Sequence, residues 1–265
     1  MKVERNCPTV SGYRSWLKSA HNEVIDDRYE TYYDHVTSKV KADFEKSDFW
    51  VQLCRNLGNY DQEYQVKNGY PLLIPNFRPE LLSKSFESFL IKTYRKNILE
   101  NKAWPAELDG GWILPTNWFS RINDIVRTLF VVKYLDGVGF VKDKIASLCK
   151  EKGMNCEAYF EAREEGYYAA HLYTKQSFEI PKTDWDTERV GVSVEIQVTT
   201  QLQEVIRRLL HRYYERRRRM VSKPLEKWQW DYKCEEFGAN YLGHILHYVE
   251  GMIMEIREKQ KAATA

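Results

Sequence analysis

Val190-Gly191-Val192-Ser193-Val194-Glu195-Ile196-Gln197-Val198-Thr199 is the stretch on which the reading of this chain turns. Val192, Val194, Ile196 and Val198 alternate with Ser193, Glu195, Gln197 and Thr199, the two-residue period of a β-strand. β-Branched residues fill the apolar positions, as a pleated, packed surface favours. The apolar face must enter a core, and Glu195 and Gln197 then share the opposite face. A carboxylate in mid-strand is costly to bury unless a cation or a hydrogen-bond donor meets it. Either Glu195 marks a site, or that face is solvated, as in many antiparallel sheets. Directly after the strand, Thr200 and Gln203 form a capping-box pair. Leu202, Val205, Ile206, Leu209, Leu210 and Tyr213 then carry the apolar stripe of a helix.

Upstream of this strand the pattern alternates. Arg127–Leu135 is a nearly continuous apolar run, which predicts a central strand, and Val138–Lys152 has helical spacing. Cys156–Ala162 and Ala169–Thr174 are further candidate strands. Residues 11–60 predict helices, with Trp16, Leu17, Ala20 and Val24, then Tyr29, Tyr32, Tyr33, Val36 and Val40 at spacings of three and four. Asn68 to Pro79 holds three prolines and a glycine and reads as a loop. A helix is predicted from Glu80 to Glu100, its apolar side formed by Leu82, Phe86, Phe89, Leu90 and Ile98. Residues 101–118 read as an irregular loop. Its tryptophans, 104, 112 and 118, suit either a lid or core packing. A last helix is predicted from Tyr232 to Lys259. The order implies an α/β domain flanked by helices. We divide it into a helical region at 1–75, a core at 76–222 and a helical extension at 223–265.

Composition narrows the function. Of 265 residues, 43% are apolar, enough for a sizeable core, and the formal charge of +2 excludes a global polycation but not a local basic patch. The five cysteines contain no C-x-x-C pair, which argues against a disulfide frame or a zinc site and for a reducing, cytoplasmic setting. Met1 to Arg5 carries three charges with no apolar run behind it, so no secretory signal is expected, and no stretch approaches a membrane span.

Several side chains have the chemistry of a site. Asp124, just before the strand at 127–135, and Glu195 on another strand could share a Mg²⁺, which takes one or two carboxylates and lets substrate phosphates complete its shell. Asp124 equally suits a turn. On a helix at 80–100, Lys84, Ser88, Lys92 and Arg95 fall within roughly 80° of one another, suited to a polyphosphate or to plain solvation. Gly166-Tyr167-Tyr168-Ala169-Ala170-His171 joins a glycine turn to a strand. Tyr167 there could stack on a base or pack in the core. Arg207, Arg208, Arg212, Arg216, Arg217, Arg218 and Arg219 place seven arginines in thirteen residues, a candidate RNA or anion patch or a solvated helix end. His244 and His247 lack an evident third ligand and are expected to pack or face solvent.

Taken together and in order, these elements resemble the RelA/SpoT-type synthetases. Lys84-Ser85-Phe86-Glu87-Ser88-Phe89-Leu90-Ile91-Lys92 resembles that family's K-x-x-x-S-x-x-x-K segment. Asp124-Ile125 resembles its D-[IL] element, Gly166-Tyr167…His171 its G-Y-x-x-x-H element, and Val194–Thr200 its V-E-I-Q-[IV]-R-T strand. The resemblance spans about residues 80–220 and departs at Leu82, Leu129, Glu165 and Thr199. In each of these places the family usually carries another residue, and Arg127 stands two places early for the family's arginine. It implies a mixed-sheet, nucleotidyltransferase-like synthetase domain of a small, synthetase-only member. By the same resemblance, Mg²⁺ would sit on Asp124 and Glu195, the catalytic acids. ATP phosphates would sit on Lys84, Ser88, Lys92, Arg95 and Arg121, and the acceptor on Tyr167, His171 and Gln197. The implied reaction moves pyrophosphate from ATP to a ribose 3′-hydroxyl, that of GDP or GTP giving a (p)ppGpp-type alarmone. A toxin acting on an adenine nucleotide or on the tRNA 3′ end, and an inactive RNA-binding relative, are the alternatives. Expected partners are a second copy of the chain and, for a toxin, a neutralising antitoxin.

Overall fold

The structure, a computed structural model, describes residues 7–182, 186–210 and 228–264. Arg212, Arg216, Arg217, Arg218 and Arg219, five of the arginines singled out above, lie outside the described residues.

Three helices lead in: α1 (Tyr13–His21), α2 (Asp27–Glu45) and α3 (Asp48–Asn68). Asp26 and Ser47 cap α2 and α3 by accepting from the backbone N–H of Arg28 and Trp50. Gly69 closes α3 at φ 78°, a left-handed position natural to glycine. There follow β1 (Leu81–Ser83), α4 (Phe86–Tyr94), a short α5 (Trp118–Arg121), β2 (Val126–Val132) and α6 (Leu135–Glu151). β3 (Asn155–Ala162), β4 (Tyr168–Pro181), β5 (Thr187–Thr200), α7 (Gln201–Leu209) and the long α8 (Glu235–Thr264) complete the described chain.

The strands form one mixed sheet in the order β1-β2-β5-β4-β3, with β2 and β5 parallel and every other pairing antiparallel. Register assigns the two faces, because side-by-side residues point the same way. Val126, Thr128, Phe130 and Val132 of β2 align with Val194, Ile196, Val198 and Thr200 of β5, and the β4 residues Thr174, Leu172 and Ala170 join them. This face is buried and belongs to one core with Tyr33, Phe44, Leu53 and Tyr64 of the N-terminal helices and Val141, Ile145 and Leu148 of α6. The other face carries Arg127, Glu195, Tyr173, Gln197, His171 and Tyr159.

The helix expected over Glu80–Glu100 begins only at Phe86. Leu81–Ser83 is an edge strand instead, and the Lys84 amide donates to the Ile125 carbonyl, which draws the segment into the sheet. Leu82 is accordingly 53% exposed rather than part of an apolar helix face. After Tyr94 the helix widens into a π-turn over Arg95–Leu99. The bulge faces Asn97 inward, where its carboxamide donates to the Tyr13 hydroxyl and the Ile113 carbonyl and accepts from the Ile113 amide. Trp118 is buried in the core, and Trp104 and Trp112 cluster with Trp16.

Candidate active site

The end of β1, the helix α4 and the stretch leading into β2 meet at Asp124. Its carboxylate is held between two ammonium groups, Lys84 Nζ 2.9 Å from Oδ2 and Lys92 Nζ 2.8 Å from Oδ1. The pairing predicted for a single helix face therefore arises from two elements: Lys84 from the strand end and Lys92 from α4. Burial would raise the Asp124 carboxyl, but Lys92 and Lys84 outweigh it and hold the group below the usual carboxylate range. Burial also lowers the Lys84 ammonium, which the charges of Lys92 and Arg127 lower further and Asp124 partly restores. Lys96 is lowered by burial and by the nearby charge of Lys92. Two ammonium groups contact the carboxylate, and the charges of Arg127 and Lys96 lie within electrostatic reach of this group, a surplus of positive charge suited to a polyphosphate.

Glu195 lies beside this cluster in mid-sheet and is 4% exposed, so its face is not solvated. Its Oε1 accepts from His171 Nδ1 at 2.9 Å and from the Tyr173 hydroxyl at 3.0 Å. Burial pushes the Glu195 carboxyl up and the charge of Asp124 adds to that push. The hydrogen bonds and charge of His171, with Tyr173, more than offset both and leave it below its ordinary value. The charge of Asp124 thus reaches Glu195. On its far side, His171 Nε2 is 2.9 Å from Glu161 Oε2 and 3.1 Å from the Tyr167 hydroxyl. Burial raises the Tyr167 hydroxyl, as do the charges of Glu195 and Glu161. The Arg163 guanidinium covers the Tyr167 ring, 5.6 Å from its centroid, and bonds Glu161 at 2.6 Å. Gly166 makes the turn possible. It has φ 76°, and a Cβ there would lie 2.5 Å from the Asn240 carbonyl oxygen of α8.

The remaining candidates divide. Gln197 is half-buried on the Glu195 face, between Leu129 and His171 in register. Ser88 is exposed one turn before Lys92 and accepts from Ser85 Oγ. Arg95 does not join the lysines: the π-turn directs it to Glu100, 2.8 Å away at the surface. Arg121 turns to the loop, donating to the carbonyls of Gly110, Asp109 and Gly111. Glu204 clamps Arg207 and Arg208 at 2.5 and 2.6 Å. His244 bonds the Tyr168 hydroxyl and the Glu164 carbonyl, and His247 stacks on Tyr168 at 3.6 Å, so both pack as expected. The sequence reading missed Lys96, Tyr173 and Glu161. Lys96 stands one turn beyond Lys92. Tyr173 and Glu161 lie beside Glu195 and His171 only once the strand register is known.

Among the described residues no group of three or more histidine, cysteine, aspartate or glutamate side chains is arranged to hold a metal ion, and no helix is long and apolar enough to cross a membrane. No family model matches the chain. No curated protein matches it. Solved structures do. Small alarmone synthetase 1 from Bacillus subtilis, bound to its product pppGpp, superposes with a TM-score of 0.53 at 15% identity, over 89% of this chain and 100% of that one. A GTP pyrophosphokinase family protein from Streptococcus pneumoniae superposes with a TM-score of 0.51 at 16% identity, over 89% of this chain and 95% of that one. Over most of its length the chain has the small alarmone synthetase fold.

Proposed function

We propose that the chain is an ATP-dependent pyrophosphokinase that transfers pyrophosphate to a ribose 3′-hydroxyl, with GDP or GTP as the acceptor. One observation carries the reading: a buried Asp124 clamped by Lys84 and Lys92 shares an electrostatic site with a buried Glu195 fixed by His171 and Tyr173. Structural packing alone has no need to bury two carboxylates and several cations together, because burial costs each of them hydration.

In the reaction the hydroxyl oxygen forms a bond to the β-phosphorus of ATP. The bond from that phosphorus to the oxygen bridging to the α-phosphorus breaks, and AMP leaves with the electron pair. The protein's part is positioning and charge neutralisation. Lys84, Lys92 and Lys96 face the phosphates, with Arg127 next to Lys84, and their charge meets what develops on the moving group. Ser88, exposed beside Lys92, donates to a phosphate oxygen. Glu195, ionised and aimed by two hydrogen bonds, takes the hydroxyl proton. Tyr167 offers its ring to the acceptor base, and Gln197 and His171 line the path between base and carboxylate. Asp124 and Glu195 would fit a Mg²⁺ whose shell the phosphates complete: both are buried carboxylates, hard oxygen ligands suit that ion, and the charge of Asp124 already reaches Glu195. When bound, the ion would neutralise phosphate charge.

The test is transfer of label from γ-labelled ATP, with GDP, GTP, AMP, ADP and bulk tRNA offered separately. Label on GDP or GTP is the expected result. Label on tRNA or an adenine nucleotide alone would keep the reaction and replace the acceptor. No labelled acceptor and no AMP would remove the proposal.

A further inference from the structure

A second concavity lies on the core side of the sheet, where β2 and β5 end and α6 and α7 begin. Its volume is about 420 Å³, within the range of small-molecule sites. Asp124, by contrast, precedes β2. Leu135, Val138 and Gly139 of α6 and Phe160 of β3 make its walls largely apolar. At its base sits Glu250 of α8, only 4% exposed. Glu250 Oε1 accepts from the Thr200 hydroxyl and Gln203 also approaches this carboxyl, while among the described residues Oε2 makes no hydrogen bond of normal geometry. Across from Oε2 lies His247 Nδ1, which is 3.6 Å away and likewise makes no hydrogen bond among the described residues. That separation is too long for a hydrogen bond and short enough for one donor group to serve both atoms. Two other carboxylates line the space but are engaged: Asp136 by Tyr64 and Arg257, Glu161 by His171 and Arg163. No lysine or arginine is among its described lining residues, so nothing there favours a phosphate.

We propose that this cavity is a binding site for a small primary amine with an apolar body. The amine's N–H groups would bridge Glu250 Oε2 and His247 Nδ1, and its carbon frame would lie against Leu135, Val138 and Phe160. Such a ligand satisfies both orphaned atoms, sets a cation against a carboxylate, and fills a space far larger than one water. Burial raises the Glu250 carboxyl and lowers the His247 imidazole, both away from their charged forms, and an arriving ammonium opposes the first effect. The proposal stands apart from the pyrophosphokinase reading, since none of these contacts uses a nucleotide.

Titration calorimetry of the full chain tests it, with phenethylamine as probe and 2-phenylethanol and phenylacetate as controls of the same shape. Adenine, an amino group on a flat heterocycle, forms a further arm. Saturable one-site binding of phenethylamine is expected, about tenfold or more tighter than 2-phenylethanol, with phenylacetate silent. Adenine, whose amino group is uncharged, should not compete; adenine binding as tight as the amine's would overturn the proposal. Glu250→Gln should weaken the amine about tenfold. Gly139→Leu, whose Cβ has ordinary van der Waals room at 3.7 Å from Phe160, should fill the cavity and abolish binding in a folded protein. Absence of saturable heat would leave the space to water and overturn the proposal. So would equal binding of amine and alcohol, or wild-type affinity in both variants.

Discussion

Replacing Asp124 with asparagine gives the sharpest test of how the site is held together. The substitution keeps shape and removes one charge from a carboxylate whose side chain is 10% exposed and which neutralises two ammonium groups. Removing one partner of a buried ion pair costs about 3–5 kcal/mol, because the remaining charge stays buried without compensation. Lys84 is in that position, with a side chain 10% exposed, whereas Lys92 is 28% exposed and can turn outward. The low end, about 3 kcal/mol, is therefore expected, equivalent to a melting point roughly 6–12 °C lower. Adding Lys84→Met should recover part of the loss, so the double variant should be more stable than the sum of the single changes by about 1–3 kcal/mol. Urea unfolding of the four proteins at pH 7 measures this. The pH dependence follows from the lowered Asp124 carboxyl. A group depressed in the folded state contributes fully above its unfolded value, near 3.9, and loses that contribution as pH falls through its folded value. The gap between wild type and Asp124→Asn should thus be constant above about pH 5 and shrink below about pH 4. Asp124→Asn melting within 2 °C of wild type, or strict additivity with Lys84→Met, would refute the clamp.

Three further changes probe separate parts of the account. Gly166→Ala places a Cβ 2.5 Å from the Asn240 oxygen at a positive φ, and should cost about 2 kcal/mol or more in urea unfolding while loosening the Tyr167 turn. Asn97→Ala removes one partner of the Tyr13 hydroxyl, leaving Thr93, and the side-chain partners of both backbone groups of Ile113. It should cost about 2–4 kcal/mol and speed proteolysis of the 101–117 loop. Tyr173→Phe removes one of the two hydrogen bonds to Glu195 Oε1, and should cost about 1 kcal/mol and move the acid limb of the pH–rate profile upward.

The strand over 190–199 was readable because both its period and its β-branched residues agree, and the structure only lengthens it to Thr187–Thr200. The extension of β4 to Pro181 escaped notice because Lys175, Gln176, Ser177 and Glu179 look like a loop. Phe178 and Ile180 hold it by alternating inward opposite Val190 and Glu188. The misplaced start of α4 has a comparable origin. Residues 81–83 carry enough apolar character to extend a helical stripe, and only the non-local pairing with β2 makes them a strand. Lys84 and Lys92 do meet, but not on one helix face: a strand-to-helix turn and about two turns of helix bring the two side chains to one point. Arg95 and Arg121 point away from the Lys84–Lys92 pair because spacing cannot foresee a π-turn or a set of loop carbonyls. The places of Glu195, Asp124, Tyr167 and His171 in or beside strands are legible in the sequence, while their proposed roles rest on the resemblance. Tyr173 and Glu161 depend on cross-strand register, which one strand's sequence does not contain.

The central claim is most directly tested by a single-turnover reaction of γ-labelled ATP with GDP, comparing wild type with Glu195→Gln and following label transfer and AMP together. The account predicts labelled product and AMP appearing in equal amounts with wild type, and a rate at least about 100-fold lower for Glu195→Gln. Undiminished transfer by Glu195→Gln, or AMP formed without label reaching any acceptor, would contradict it.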